Sequence, residues 1–199
     1  MSGRSDRAAK PPPVAVKIVI SGGFGVGKTT FVGAISEIEP LVTEAEMTER
    51  SIGVDDTSAV SGKTTTTVAL DFGRITLDDA LLLYLFGTPG QDRFAFLWND
   101  LVDGALGAIV LVDTRRVEDC FPAIDYFEER DIPFIVGINH FSDGRRFDVG
   151  EIRDALGVGS GVPVIECDAR NRESVKRVLV ALTEQVLTKR LGRERAGVR

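Results

Sequence analysis

Short apolar runs alternate along the chain with segments whose apolar residues recur at helical spacing. Residues 14–20 are rich in β-branched residues and predict a first strand. Phe31, Val32 and Ile35 then recur on one helix face, and Pro40 closes that helix. The apolar runs together predict six strands, over residues 14–20, 65–72, 75–86, 104–113, 132–139 and 162–167.

The predicted helices cover residues 28–38, 117–130, 148–156 and 173–190, and the last carries an apolar stripe. The stripe consists of Val175, Val178, Leu179, Leu182 and Val186. The connection between strands 65–72 and 75–86 is too short for a crossover helix, which predicts an antiparallel pair. This order predicts an α/β fold, with a doubly wound, mostly parallel six-stranded sheet and one antiparallel edge strand.

The domain limits follow from the same pattern. Residues 14–190 hold the predicted elements, whereas residues 1–13 contain three prolines and predict a flexible tail. Residues 191–199 predict a basic tail. Residues 41–63 are polar and irregular, and a segment of that length inside a domain is usually functional or mobile.

Composition excludes several classes of function. The chain has 199 residues and a net charge of −6, which disfavours binding to nucleic acid. No run approaches the roughly 20 apolar residues of a transmembrane segment. Its two cysteines, Cys120 and Cys167, are expected to be reduced core thiols. We therefore expect a cytoplasmic protein that reaches a membrane only through partners.

A complete G-x-x-x-x-G-K-T motif joins the first strand to the first helix. Its glycines allow backbone N–H groups to curl around an anion at the positive end of the helix. Lys28 is expected to reach the terminal phosphates, and Thr29 to offer its hydroxyl to Mg²⁺. The predicted phosphate-binding residues are Gly22, Gly23, Phe24, Gly25, Val26, Gly27, Lys28, Thr29 and Thr30.

A second nucleotide-sensing motif follows the third predicted strand, as Gly87-Thr88-Pro89-Gly90-Gln91. GTPases place D-x-x-G-Q here, where the glycine amide senses the γ-phosphate and the glutamine orients the attacking water. Gly90 and Gln91 match this pattern, and Gln91 joins Lys28 as a predicted catalytic residue. Gly87 replaces the aspartate, so the usual carboxylate near Mg²⁺ is missing. A simple Thr-Pro-Gly turn is the alternative interpretation.

A threonine between the first helix and this motif normally completes the magnesium shell. Thr67 stands four residues before Asp71-Phe72 on a predicted strand, at the spacing common in Ras-like proteins, and is a predicted metal ligand. High strand propensity alone also explains a threonine there. Asp71 is a candidate to supply the carboxylate that Gly87 lacks.

Two further motifs resemble those with which GTPases read guanine, N-K-x-D and E-x-S-A-K. The first is Asn139-His140-Phe141-Ser142-Asp143, where histidine replaces lysine and the aspartate comes one residue late. The second is Glu166-Cys167-Asp168-Ala169-Arg170, where Ala169 would offer its amide and Arg170 would cover the base. A loop-capping asparagine and an ordinary loop histidine are the alternatives for the first motif. The predicted base-binding residues are Asn139, His140, Asp143, Asp168, Ala169 and Arg170.

Taken together, these motifs resemble the actinobacterial conservon GTPases and, more distantly, the bacterial gliding-motility GTPases. Both belong to the Ras-like branch of the P-loop NTPases. The resemblance covers most of residues 14–190. The motifs that carry it are Gly22 to Thr30, Lys63 to Thr67, Asp71-Phe72-Gly73-Arg74, Phe86 to Gln91 and Cys167-Asp168-Ala169-Arg170.

The resemblance implies a nucleotide-dependent switch that binds GTP or GDP with Mg²⁺ and hydrolyses GTP slowly without help. It also implies a partner of the Roadblock/LC7 class and a role beside a sensor kinase in bacterial signalling. The gliding-motility branch carries an arginine where this chain has Thr66, which puts a built-in arginine finger in doubt; Arg50 and Arg93 are weak candidates.

Two other functions remain compatible with the residues. A nucleotide-binding adaptor without hydrolysis would explain Gly87 and the altered base motif. A P-loop kinase for a small molecule would use Arg145 and Arg146 as lid arginines, but it leaves Gln91 without a task.

Overall fold

A seven-stranded sheet forms the centre of the molecule. The computed structural model describes residues 12–39, 41–47, 66–90 and 96–197. The strands are β1 (Val14–Ser21), β2 (Leu41–Met47), β3 (Thr66–Asp78), β4 (Leu81–Gly87), β5 (Ala105–Asp113), β6 (Phe134–Asn139) and β7 (Val164–Cys167). The helices are α1 (Lys28–Ile35), α2 (Trp98–Val102), α3 (Phe121–Glu129), α4 (Val149–Leu156) and α5 (Arg172–Gly197), with a 3₁₀ turn over Val117–Cys120.

The strands lie in the order β2-β3-β4-β1-β5-β6-β7. β1 pairs in parallel with β4 and β5, and the parallel pairing continues through β6 to β7. β3 is antiparallel to both of its neighbours, β2 and β4. The predicted α/β fold, doubly wound and mostly parallel with a single antiparallel strand, is therefore confirmed.

The sheet differs from the prediction by one strand at its edge. Residues 41–63 were expected to be irregular, but β2 forms within them and pairs with β3 over the full length of Leu41–Met47. β3 is consequently the second strand from the edge. The prediction missed β2 because its sequence, LVTEAEM, has no continuous apolar run. An edge strand is held by backbone hydrogen bonds to its neighbour, which a hydrophobic pattern does not reveal.

Helices cover both faces of the sheet and produce two apolar layers. α1 and α5 pack on one face, where Phe31, Val178 and Leu182 join Ile18 and Ile20. α2, α3 and α4 pack on the other face. All five residues of the predicted α5 stripe are buried, with exposures of 0–7%: Val175, Val178, Leu179, Leu182 and Val186.

The closing helix is longer than predicted. α5 continues to Gly197, past the expected end at residue 190. Residues 191–197 include Leu, Arg, Glu and Ala, and their high helix propensity favours this extension. Within the described residues, the structure contains no helix with the combination of length and apolarity needed to span a bilayer.

The carboxyl ends of the parallel strands meet at one edge of the sheet. β1, β4, β5, β6 and β7 end there, at Ser21, Gly87, Asp113, Asn139 and Cys167. Ligands of open α/β sheets bind at this edge, because the loops that follow the strands converge there. The motifs found in the sequence are thus brought to one place by the topology.

Replacement of Leu182 by alanine is expected to lower the free energy of unfolding by about 2–5 kcal/mol, because the side chain is fully buried between α5 and the sheet. Leu187→Ala on the same helix is the matched control. Its side chain is 55% exposed, so a change below about 0.5 kcal/mol is expected. Urea denaturation of both variants measures the difference, and equal losses would contradict the assigned core.

Candidate functional site

The glycine-rich loop between β1 and α1 has a backbone that only glycine adopts readily. Gly22, Gly25 and Gly27 have φ values of 130°, 74° and 104°. A Cβ at Gly22 would lie 2.4 Å from the carbonyl oxygen of Leu111. Gly27 is also the residue that caps the start of α1. The loop therefore presents its amides beside a helix N-terminus, which is a geometry that suits phosphate.

Lys28 lies inside this loop. Its Nζ donates to the carbonyl oxygens of Gly22, at 2.8 Å, and Gly23, at 2.7 Å, and the residue is 8% exposed. Burial lowers the pKa of its amine to about 8, while the nearby Asp71 carboxylate acts in the opposite direction. Lys28, the lysine predicted to bind phosphate, is thus held in place by two carbonyl oxygens. A bound anion would stabilise its charged form.

Thr29 and Asp71 meet at the entrance of the loop. The Thr29 hydroxyl donates to Asp71 Oδ2 at 2.9 Å. Because Phe72 of β3 pairs with Phe86 of β4 in antiparallel register, Asp71 lies next to Gly87. A Cβ at Gly87 would lie 2.8 Å from Asp71 Oδ2. The Asp71 carboxylate thus fills the space where a side chain at position 87 would begin.

The segment after β4 closes against the same loop. Thr88 donates through its backbone N–H to the Ile20 carbonyl and through its hydroxyl to the Ser21 hydroxyl. A Cβ at Gly90 would lie 2.7 Å from Lys28 Nζ and 2.8 Å from Phe24 Cα, so the loop leaves room only for glycine. Gly90 therefore lies directly against the phosphate loop.

Two predicted residues cannot be placed in the same way. Gln91 lies outside the described residues. Of Thr67 only the backbone is described, in β3 opposite Glu46.

Asn139 joins the phosphate loop to the segment after β7. Its Nδ2 donates to the Val26 carbonyl at 2.8 Å, and its Oδ1 accepts from the Ala169 backbone N–H at 2.9 Å. The side chain is 4% exposed, so both of its polar atoms are satisfied inside the protein. A Cβ at Gly27 would lie 2.7 Å from Asn139 Nδ2. Asn139 thus bridges the two loops, and it accepts a hydrogen bond from the Ala169 amide, which the sequence motif predicts to bind the base.

The other residues of the two predicted base motifs also contact one another. The backbone N–H, Nε and Nη2 of Arg170 all donate to the Asp168 carboxylate, and this arginine holds the pKa of Asp168 below its usual value. His140 donates its backbone N–H to the Cys167 carbonyl, and its Nε2 lies 3.4 Å from Glu166 Oε1. These contacts bring the loops after β6 and β7 together.

Asp143 is paired with an arginine that the sequence analysis did not single out. Both of its oxygens accept from Arg115 Nη1 at 2.7 Å. Arg115 also binds the buried Asp113 carboxylate and stacks on the Phe141 ring, 3.9 Å from its centroid. The arginine holds the pKa of Asp113 below its ordinary value. The predicted base-reading carboxylate therefore belongs to an ionic cluster with Arg115.

A second unpredicted arginine, Arg116, donates through Nη2 to the Phe24 carbonyl at 2.8 Å. Both arginines follow the carboxyl end of β5. Their position at that edge of a parallel sheet is the signal that could have identified them.

The two cysteines behave as the sequence predicts. Cys120 and Cys167 are buried free thiols, and burial raises the pKa of each to about 12. Neither contributes a reactive thiolate to the site.

Comparisons with known proteins agree with this geometry. A family model described as "Conserved hypothetical ATP binding protein" matches residues 20–189. The uncharacterized protein MJ1339 of Methanocaldococcus jannaschii is 32% identical over 139 residues, which are 69% of this chain and 73% of that protein. The Ras-related protein RABD2b of Arabidopsis thaliana is 24% identical over 143 residues, covering 67% of this chain and 71% of that protein.

Solved structures share the fold at low sequence identity. The FeoB G-domain from Methanococcus jannaschii superposes with a TM-score of 0.56 and 15% identity, over 86% of this chain and 97% of that domain. The cytosolic domain of the T. maritima FeoB iron transporter, in a GDP form, gives a TM-score of 0.62 at 18% identity. That match covers 88% of this chain and 65% of the FeoB chain.

The family match spans most of the chain and includes the phosphate loop, the strands that carry Asp71 and Gly87, and the bridging Asn139. The chain therefore belongs to the family described as conserved hypothetical ATP binding proteins, and it has the fold of a nucleotide-binding G-domain.

Proposed function

We propose that this protein is a nucleotide-dependent switch that binds GTP and GDP with Mg²⁺ and hydrolyses GTP slowly. The observation that carries the proposal is the Thr29–Asp71 pair at the mouth of the glycine loop, 2.9 Å between oxygens, beside the buried amine of Lys28. This arrangement combines a phosphate-binding loop with oxygen donors for a hard cation.

The phosphate-binding residues are those of the loop, from Gly22 to Thr30, together with Gly90. The loop amides and the N-terminus of α1 would hold the phosphate oxygens, and Lys28 would neutralise their charge. Gly90 lies against Lys28 and Phe24, and its amide would donate to the terminal phosphate.

The residues present fit a magnesium ion. The Thr29 hydroxyl and the Asp71 carboxylate are oxygen groups that already contact each other, and Thr67 lies on the same strand as Asp71. When bound, the ion would neutralise charge on the phosphates and help to orient them. Asp71 would thereby supply the carboxylate that the aspartate of D-x-x-G supplies in GTPases, since Gly87 has no side chain.

Hydrolysis is assigned to Gln91, which would orient the attacking water. Without an arginine finger the turnover is expected to be on the order of 10⁻⁴ s⁻¹, and an arginine from a partner would raise it by about 10³–10⁵. Arg50 and Arg93, the candidates within the chain, lie outside the described residues. A Roadblock/LC7-class partner and a sensor-kinase complex are proposed from the resemblance, as is a signalling role in the cytoplasm.

Two bases are candidates for the bound nucleotide. Guanine is favoured by the two altered base motifs and by the GDP form of the FeoB structure. Adenine is the second candidate, favoured by the pairing of Asp143 with Arg115 and by the description of the family as ATP binding. A carboxylate that is paired with an arginine has to exchange that partner before it can read guanine N–H groups.

Asp71→Ala is expected to weaken the Mg²⁺-dependent part of GTP affinity by at least about tenfold, because the charged oxygen group beside Thr29 is lost. Titration with fluorescent GTP and ATP analogues, with and without Mg²⁺, measures this. Asp125→Ala, at an exposed position on α3, is the matched control and should bind as the parent does. If Mg²⁺ strengthens binding equally in the parent and in Asp71→Ala, the assigned role of Asp71 is wrong.

Ser142→Asp restores an aspartate three residues after Asn139, the spacing of N-K-x-D. We expect the ratio of GTP to ATP affinity to rise by about tenfold, because a carboxylate accepts from the guanine N–H groups that adenine lacks. Ser160→Asp, in an exposed turn, controls for the added charge. A ratio that stays constant would place the base away from the Asn139 loop.

Gln91→Leu is expected to slow GTP hydrolysis in single-turnover assays by at least about tenfold, while GTP affinity is retained. Gln185→Leu, on α5, is the matched substitution outside the site and should hydrolyse at the parental rate. Equal rates for the parent and Gln91→Leu would remove Gln91 from the mechanism. Tight GTP binding with no phosphate release from the parent, with or without partner, would identify a non-hydrolysing adaptor.

A further inference from the structure

The outer side of the phosphate loop rests on the turn that follows β5. A Cβ at Gly23 would lie 2.5 Å from the Cβ of Asp119, so loop and turn are in direct contact. The turn is closed by its own backbone bonds, from the Arg116 N–H to the Asp113 carbonyl and from the Asp119 N–H to the Arg116 carbonyl. It therefore offers a fixed support from which a side chain can hold the loop.

Arg116 is that side chain. Its Nη2 donates to the Phe24 carbonyl at 2.8 Å, and its Nη1 lies 3.5 Å from Asp119 Oδ2. The same Nη2 would lie 3.7 Å from a Cβ at Gly25. The guanidinium is thus oriented by Asp119 and placed directly against the peptide group that joins Phe24 to Gly25.

Three other carbonyls of the loop have side-chain donors of their own. Lys28 holds those of Gly22 and Gly23, and Asn139 holds that of Val26. The Phe24 carbonyl depends on Arg116. The Phe24–Gly25 peptide is also able to rotate, because the glycine on its C-terminal side accepts both signs of φ.

A trans peptide is planar, and its N–H points opposite to its C=O. With the Phe24 carbonyl held toward Arg116, the Gly25 N–H is directed to the opposite side of the peptide, away from the supporting turn. Rotation of this peptide would instead turn a carbonyl oxygen toward bound phosphate, where the two would repel each other.

We propose that Arg116 is a positioning residue for nucleotide binding, which fixes the Phe24–Gly25 peptide so that the Gly25 amide donates to phosphate. The inference rests on the proposed function, since it needs a nucleotide phosphate at the loop. It assigns a binding role to a residue outside every motif found in the sequence.

The test compares Arg116→Ala, Arg116→Lys and Arg116→Gln in the full chain, by the dissociation rate of fluorescent GDP and GTP. Arg116→Ala is expected to release both nucleotides about tenfold faster, as one charge-assisted hydrogen bond is lost. Lysine and glutamine retain an N–H donor and should each recover part of this loss. Arg190→Ala, at an exposed position far along α5, should release nucleotide at the parental rate.

A spectroscopic readout separates positioning from general stability. In ¹⁵N-labelled protein with GDP, the Gly25 amide proton should shift downfield relative to the nucleotide-free state, and this shift should be lost in Arg116→Ala. Unchanged release from Arg116→Ala overturns the inference, as does release from the lysine and glutamine variants as fast as from alanine. A parent protein that binds neither nucleotide overturns the proposed function as well, which distinguishes the two failures.

Discussion

The burial of one ammonium group is the constraint on which the rest of the site depends. Lys28 is 8% exposed, and its charge has lost most of its hydration. Two carbonyl oxygens of its own loop replace part of that hydration, and the Asp71 carboxylate adds attraction from β3. The pKa of about 8 shows that this compensation is incomplete. A loop that leaves its central charge incompletely compensated is suited to an anionic ligand.

The same constraint explains why the surrounding residues are small or firmly held. Gly90 approaches Lys28 so closely that a side chain there would collide with Nζ. Asn139 fixes the loop at Val26 and extends the contact to Ala169 after β7. The phosphate loop and the loops after β6 and β7 are therefore joined by hydrogen bonds into one unit.

Much of the fold, and the candidate phosphate loop, could be predicted from sequence because their signals are local. The glycine loop is contiguous, and the α5 stripe repeats at helical spacing, so both were recognised without knowledge of the tertiary structure. β2 was missed because its stability comes from pairing with β3, which is distant in sequence. Arg115 and Arg116 were missed for a related reason: their partners, Asp143 and Phe24, come near only when the parallel strands assemble.

In this chain the carboxylate beside the phosphate loop comes from Asp71 on β3, because position 87 at the end of β4 is glycine. This difference affects which segments of the backbone are able to move together. In a D-x-x-G loop, the acidic residue and the glycine that senses phosphate belong to one segment and move together. Here Asp71 lies within a strand paired on both sides, whereas Gly90 lies in the connection after β4. The two functions that we propose for Asp71 and Gly90 are therefore carried by separate parts of the backbone. In the proposed switch, the segment with Gly90 would be able to change its position while the Thr29–Asp71 contact persists, so that loss of the third phosphate would leave the groups that hold the remaining two in place.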